Sequence, residues 1–225
     1  MLKKAILVAA VGTFGAFSSA TLVTLHADGY WGGTPLVSIG AGPQNVVAST
    51  QFLLQGSSTT PFEAFCTDVN DEVANTWTAN YVSTADYATA IQPNLSNTPF
   101  PAFSAAQLDI AASIAQSYGL LHNVTSAYLA AEYQVAIWDV LYPGAVTSSN
   151  SATLLGDAAS IVAANGSATN TAPYYVAILD ANGRKTSQDF MTWGPAPSSS
   201  TPEPFSLALG AGALGLAIRR RRLNR

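Results

Sequence analysis

The chain has 225 residues, of which 48% are hydrophobic and only 10% charged, against roughly 25% charged in an ordinary globular chain; this excludes a highly charged disordered polymer. Seven of the nine bases (Lys3, Lys4, Arg219, Arg220, Arg221, Arg222 and Arg225) sit at the two ends, so residues 21–204 set all thirteen acids against only Arg184 and Lys185, a balance of −11. A nucleic-acid-binding surface needs the opposite sign, and the formal −4 of the whole chain hides an acidic body between basic ends.

In chain order, Met1–Ala20 pairs Lys3 and Lys4 with an apolar run, Ala5–Phe17, and ends on Ser18-Ser19-Ala20. That pattern reads as a secretory signal peptide cut by signal peptidase near Thr21. The alternative, a membrane anchor, has too short an apolar run for the roughly 20 residues a span requires. The body, residues 21–193, opens with segments rich in Val, Leu, Ile and Thr between Gly and Pro breaks: Thr21–Ala27, Pro35–Ile39 and Asn45–Gln55. These read as strands, as do Phe62–Val69 and Thr76–Ser83. Ser104-Ala105-Ala106-Gln107 has the form of a capping box. It predicts a helix to about Leu121 with Leu108, Ala111, Ala115 and Tyr118 on one face. A second helix is predicted from Thr125 or Ser126 to Pro143-Gly144, and a third over about Thr153–Ala164. Strands return at Tyr174–Leu179 and Ser187–Trp193, with Asp180–Gly183 as the turn between them. Strands, then helices, then strands describe an α+β fold: an antiparallel, barrel-like sheet with an inserted helical subdomain.

A flexible stretch, residues 194–201 (GPAPSSST), leads into Pro202-Glu203-Pro204, an uncharged segment Phe205–Ile218, and the Arg219–Arg222 cluster. Fourteen helical residues cover about 21 Å, less than a ~30 Å hydrocarbon core, and the arginines would stay on the cytoplasmic side. Gly210, Gly212 and Gly215 match G-x-G-x-x-G, but no strand, helix and second strand frame them, so they read as small residues in a membrane helix. In this order, Pro202, Glu203 and Pro204, the apolar helix, and Arg219, Arg220, Arg221 and Arg222 closely resemble the PEP-CTERM sorting signal. The resemblance implies a Gram-negative exported protein held briefly at the inner membrane by its C-terminal helix. An exosortase would process the tail and release the protein to the cell surface or an exopolysaccharide-rich biofilm matrix. An ordinary C-terminal anchor is the alternative.

Cys66 is the only cysteine, so no intramolecular disulfide is available. It reads either as a buried small hydrophobe or as a reactive sulfur or intermolecular bridge. On the second helix, 100° steps put Glu132 and Asp139 together on the wet side, and Gln134 about 200° from Glu132, beside Ile137 and Leu141. A glutamine on an apolar face must find partners at a cost of roughly 1–3 kcal/mol if it fails. Either its amide caps a nearby loop or it is no longer a free amide. Phe65-Cys66-Thr67-Asp68 and Tyr133-Gln134-Val135-Ala136-Ile137-Trp138 resemble the two signatures of bacterial thioester domains. In that family a strand cysteine attacks a helix glutamine, ammonia leaves, and a Cys–Gln thioester remains. Many members carry Thr where this chain has Tyr133. The resemblance implies a Cys66–Gln134 cross-link in a pocket lined by Phe65, Asp68, Ile137 and Trp138, with Leu141 nearby. The bond would be open to an amine on a surface or matrix molecule. Lys185 would be the one internal lysine in the mature body.

Other chemistry finds little support: neither H-E-x-x-H nor G-x-S-x-G is present. His26 and His122 are isolated and read as surface or packing residues. Asp68–Glu72 lacks the glycine and terminal glutamate of a calcium loop. The sequence thus predicts no metal, no cofactor and no enzymatic turnover. Covalent adhesion through a thioester is the leading function. The alternatives are a structural biofilm or envelope protein of the same fold without the bond, and a carbohydrate-binding module.

Overall fold

The computed structural model describes residues 21–30, 33–41, 46–55, 59, 61–69, 75–84, 87, 103–121, 126–167, 174–178 and 189–192. The signal-peptide reading of Met1–Ala20, the linker, the sorting signal from Pro202 to Arg225, Lys185, His122 and the 180–183 turn all lie outside these residues. The strands are β1 (Thr21–Tyr30), β2 (Leu36–Ile39), β3 (Val46–Val47), β4 (Gln51–Gln55), β5 (Phe62–Cys66), β6 (Thr76–Ser83), β7 (Val146–Ser149), β8 (Tyr174–Ile178) and β9 (Phe190–Met191). The helices are α1 (Ala105–Gly119), α2 (Ala127–Leu141) and α3 (Leu154–Asn165). All three fall between β6 and β8, and the fold is α+β. Among the described residues no helix is long and apolar enough to cross a membrane.

Six strands pair antiparallel in the order β1–β4–β5–β9–β8–β6, and β6 pairs back onto β1. Strand alternation puts Leu25, Leu53, Ala64, Ala79 and Phe190 on one face, and all five are fully buried. A separate sheet, β3–β2–β7, is the first departure from expectation. The run predicted as one strand, Asn45–Gln55, is split between the two sheets. Val46 and Val47 pair with β2, Ala48 N–H donates to Pro35 C=O at 3.1 Å, and the chain then enters the ring at Gln51. Unbroken β-propensity cannot report such a change of partner. Strand β7 was not predicted. Its Thr and Ser residues gain strand character from β2, and Asn150 clamps the end: its N–H donates to Leu36 C=O and its Oδ1 accepts from Leu36 N–H, both at 3.0 Å.

The helices follow the sequence signals closely. Ser104 Oγ accepts the Gln107 N–H and Gln107 Oε1 accepts the Ser104 N–H, a complete capping box. Leu108, Ala111, Ala115 and Tyr118 form the buried face of α1. Ser126 caps α2 by accepting from Leu129 N–H at 3.1 Å. Beyond Pro143 the chain reverses at Gly144, whose φ of +76° suits a residue without Cβ. Gln107 Nε2 also donates to the carbonyls of Val140 and Leu141, at 2.9 and 3.3 Å. This satisfies two of the carbonyls a helix end leaves open and ties the start of α1 to the end of α2.

Candidate functional site

Helix α2 packs on β5, and that contact brings Cys66 and Gln134 together across 68 positions of sequence. Cys66 closes β5, where its register partner across β9 is Phe190. The next residue, Thr67, donates its N–H to Asp189 C=O at 2.9 Å. Successive residues of a strand turn their peptide groups to opposite flanks, so Cys66 presents its own N–H and C=O to the other side. That side belongs to β4, whose pairing with β5 runs only from Phe62 to Ala64. The side chain of Gln134 fills the vacated place. Cys66 N–H donates to Gln134 Oε1 at 2.9 Å, and Gln134 Nε2 donates to Cys66 C=O at 2.8 Å. A carboxamide thereby stands in for one residue of a missing strand. It is wholly buried, and both its oxygen and its nitrogen are satisfied by one partner residue.

The surroundings are dry. Cys66 is 8% exposed and Gln134 0%; burial pushes the Cys66 thiol up to about 12, because a thiolate there would lose its hydration. The sulfur is therefore protonated at neutral pH and is no ready nucleophile by itself. Ile137 and Trp138 lie one turn from Gln134 on α2 and Leu141 two turns, and all three are buried. Phe65 is also fully buried, but strand alternation sends it to the opposite face from the Cys66 side chain. It meets Tyr118 of α1 edge-on at 5.1 Å, and Tyr118 in turn contacts Tyr133 at 5.3 Å. Tyr118 OH donates to Glu63 Oε2, which also accepts from Thr50 Oγ1. This aromatic and carboxylate bridge between α1, β5 and α2 was not anticipated, although Tyr118 on the apolar face of α1 was its visible trace. Asp68, just past β5, is buried. Glu132 lies on the wetter side, as its helical angle implies. Burial and, secondarily, the nearby Asp157 carboxylate raise its pKa. His26 Nδ1 is 2.9 Å from Thr76 Oγ1 across β1 and β6, an exposed pair remote in sequence from the site.

Two buried polar atoms close to this pair in sequence have no hydrogen-bond partner among the described residues: Thr67 Oγ1, one residue past Cys66, and Trp138 Nε1, one helical turn past Gln134. An orphaned buried donor or acceptor costs about 1–3 kcal/mol, so each of these atoms demands a reason.

No protein-family model matches the chain, and no curated protein matches it in sequence. Among solved structures, the chain is similar to the N-terminal thioester domain of a surface protein from Clostridium perfringens. The identity is 10% and the TM-score 0.42, over 76% of this chain and 98% of that one.

Proposed function

We propose that Cys66 and Gln134 close an intramolecular thioester, and that the protein is an exported surface or matrix component that uses this bond to attach covalently to amine-bearing targets. The observation that carries the reading is the double hydrogen bond of Gln134 to the backbone of Cys66. It delivers the amide carbon to the residue whose sulfur must attack it, which converts an encounter into an intramolecular reaction. In the closing step Sγ bonds to Cδ of Gln134 while the carbonyl electron pair moves onto Oε1. Collapse of that intermediate breaks the Cδ–Nε2 bond, and the nitrogen departs as ammonia carrying the thiol proton. Cys66 N–H, already 2.9 Å from Oε1, is placed to stabilise the developing oxyanion. A dry site slows loss of the bond to water. An external amine then attacks Cδ, displaces the sulfur and remains as an amide on residue 134. The chain is consumed rather than turned over, so it is not an enzyme in the ordinary sense.

Intact mass spectrometry tests the reading. The native chain should be lighter by one ammonia, and methylamine should label Gln134 and free one thiol. Cys66→Ala should abolish both. A native chain of full mass that takes up no methylamine refutes the thioester. A second reading is favoured by the same hydrogen bonds: Gln134 serves only as a strand cap in a structural envelope or biofilm protein, since its oxygen and its nitrogen each have a partner without reacting. The delivery route rests on the sequence pattern from Pro202 to Arg225. Signal peptidase and an exosortase would process the two ends, leaving the body at the surface or in an exopolysaccharide matrix. Changing Arg219–Arg222 to Ser should misroute the tail; unchanged membrane retention and cleavage would remove that reading.

A further inference from the structure

We propose that the indole N–H of Trp138 is the second hydrogen-bond donor to the Gln134 carbonyl oxygen when that oxygen becomes an oxyanion, an inference that rests on the thioester reading above. Trp138 is 2% exposed, and its Nε1 has no partner among the described residues. An indole nitrogen only donates, so its missing partner must be an acceptor. Position 138 lies one turn beyond position 134. Helical side chains lean toward the N-terminus of their helix, which carries the ring over the turn from which Gln134 projects. The other orphan, Thr67 Oγ1, follows Cys66 directly, and strand alternation turns it to the opposite face.

The resting amide does not need a second donor. Its oxygen accepts from Cys66 N–H, and a neutral carbonyl oxygen tolerates one open lone pair. The tetrahedral intermediate does need one, because Oε1 then bears a full charge in a buried site. Closure with loss of ammonia and opening by an amine pass through equivalent intermediates, so one donor serves both. An unsatisfied donor in the ground state that gains its partner at the barrier is how preorganised electrostatic stabilisation works.

The test uses the full chain with Trp138 replaced by β-(3-benzothienyl)alanine, which keeps the ring outline and substitutes sulfur for the N–H; Trp138→Phe serves as a second variant. Ammonia opens the wild-type bond and restores the Gln134 carboxamide. After its removal, reclosure is followed as loss of one ammonia from the intact mass, and methylamine uptake gives the opening rate. We expect both rates to fall about a hundredfold in the benzothienyl variant, with the melting temperature of the ring-opened form unchanged or raised, since an orphaned donor has been removed. Rates within twofold of wild type overturn the inference and leave the thioester reading standing. Slow rates accompanied by a lowered melting temperature in both variants also overturn it, by reducing Trp138 to a packing residue. A wild-type chain that never loses ammonia overturns the thioester reading and this inference together.

Discussion

The carboxamide of Gln134 should be a major structural element whether or not it reacts, and its contribution can be measured apart from the chemistry. In Cys66→Ala the sulfur is gone but the backbone N–H and C=O of residue 66 remain, so both hydrogen bonds to Gln134 survive and no thioester can form. In this background Gln134→Met retains most of the side-chain volume and deletes both polar groups. Two buried backbone groups then lose their partners, at about 1–3 kcal/mol each. The expected loss is about 2–6 kcal/mol, a large share of the 5–15 kcal/mol typical of a whole domain. Gln134→Ala in the same background should cost more, because a cavity is added. Equilibrium urea unfolding measures both. A loss below about 0.5 kcal/mol for Gln134→Met, the range of ordinary surface changes, would falsify the view that this amide completes the edge of β5.

Three further outcomes are expected of the same structure. In Gln134→Met, which keeps a free Cys66 thiol, the burial that pushes this thiol up to about 12 in the native chain should keep its folded pKa above that of the unfolded thiol. The folded state then retains the proton longer, and stability relative to the Cys66→Ala/Gln134→Met double variant should fall as pH rises past about 9, by up to ~1.4 kcal/mol per pH unit; pH-independent differences in urea melts would refute this. Glu132 has a raised folded pKa, so its ionisation opposes folding, and the stability difference between Glu132→Gln and wild type should grow as pH rises through the ordinary glutamate range and then level off, as read from melting curves between about pH 3 and pH 8. Ser104→Ala should cost about 1 kcal/mol, and Gln107→Ala should cost more, since Gln107 also holds the last carbonyls of α2; equal losses by urea unfolding would mean that the tie between the two helices adds nothing.

Elements specified by local chemistry were legible in the sequence. The capping box at Ser104, the Ser126 start of α2 and the β6 run Thr76–Ser83 all declare themselves within a few residues. Elements specified by a distant partner were not. Nothing within VTSS announces β7, which exists because β2 lies beside it. Nothing in Asn45–Gln55 shows that Val47 and Gln51 belong to different sheets. The Cys66–Gln134 relation was intermediate. Helical angles put a polar side chain on an apolar face and so required a partner, but which groups it would meet depended on where β4 stops. Phe65 shows the limit of adjacency: its place beside Cys66 suggested a shared pocket, and the pleat directs it to Tyr118 instead.

The way Gln134 engages β5 gives this fold a built-in gauge of its own assembly. One carboxamide reads the N–H and C=O of a single residue, and only every second residue of a strand offers that pair on the flank facing α2. A slip of β5 by one position would turn the groups away, leaving the amide with no match. The contact therefore distinguishes correct from incorrect register, and it also fixes how far α2 has slid along the sheet. A bond formed at this point would be timed by folding rather than by a separate activator. Unfinished or misaligned chains would hold an unreacted amide and a free thiol, and electrophilic character would appear only in copies that have passed their own inspection.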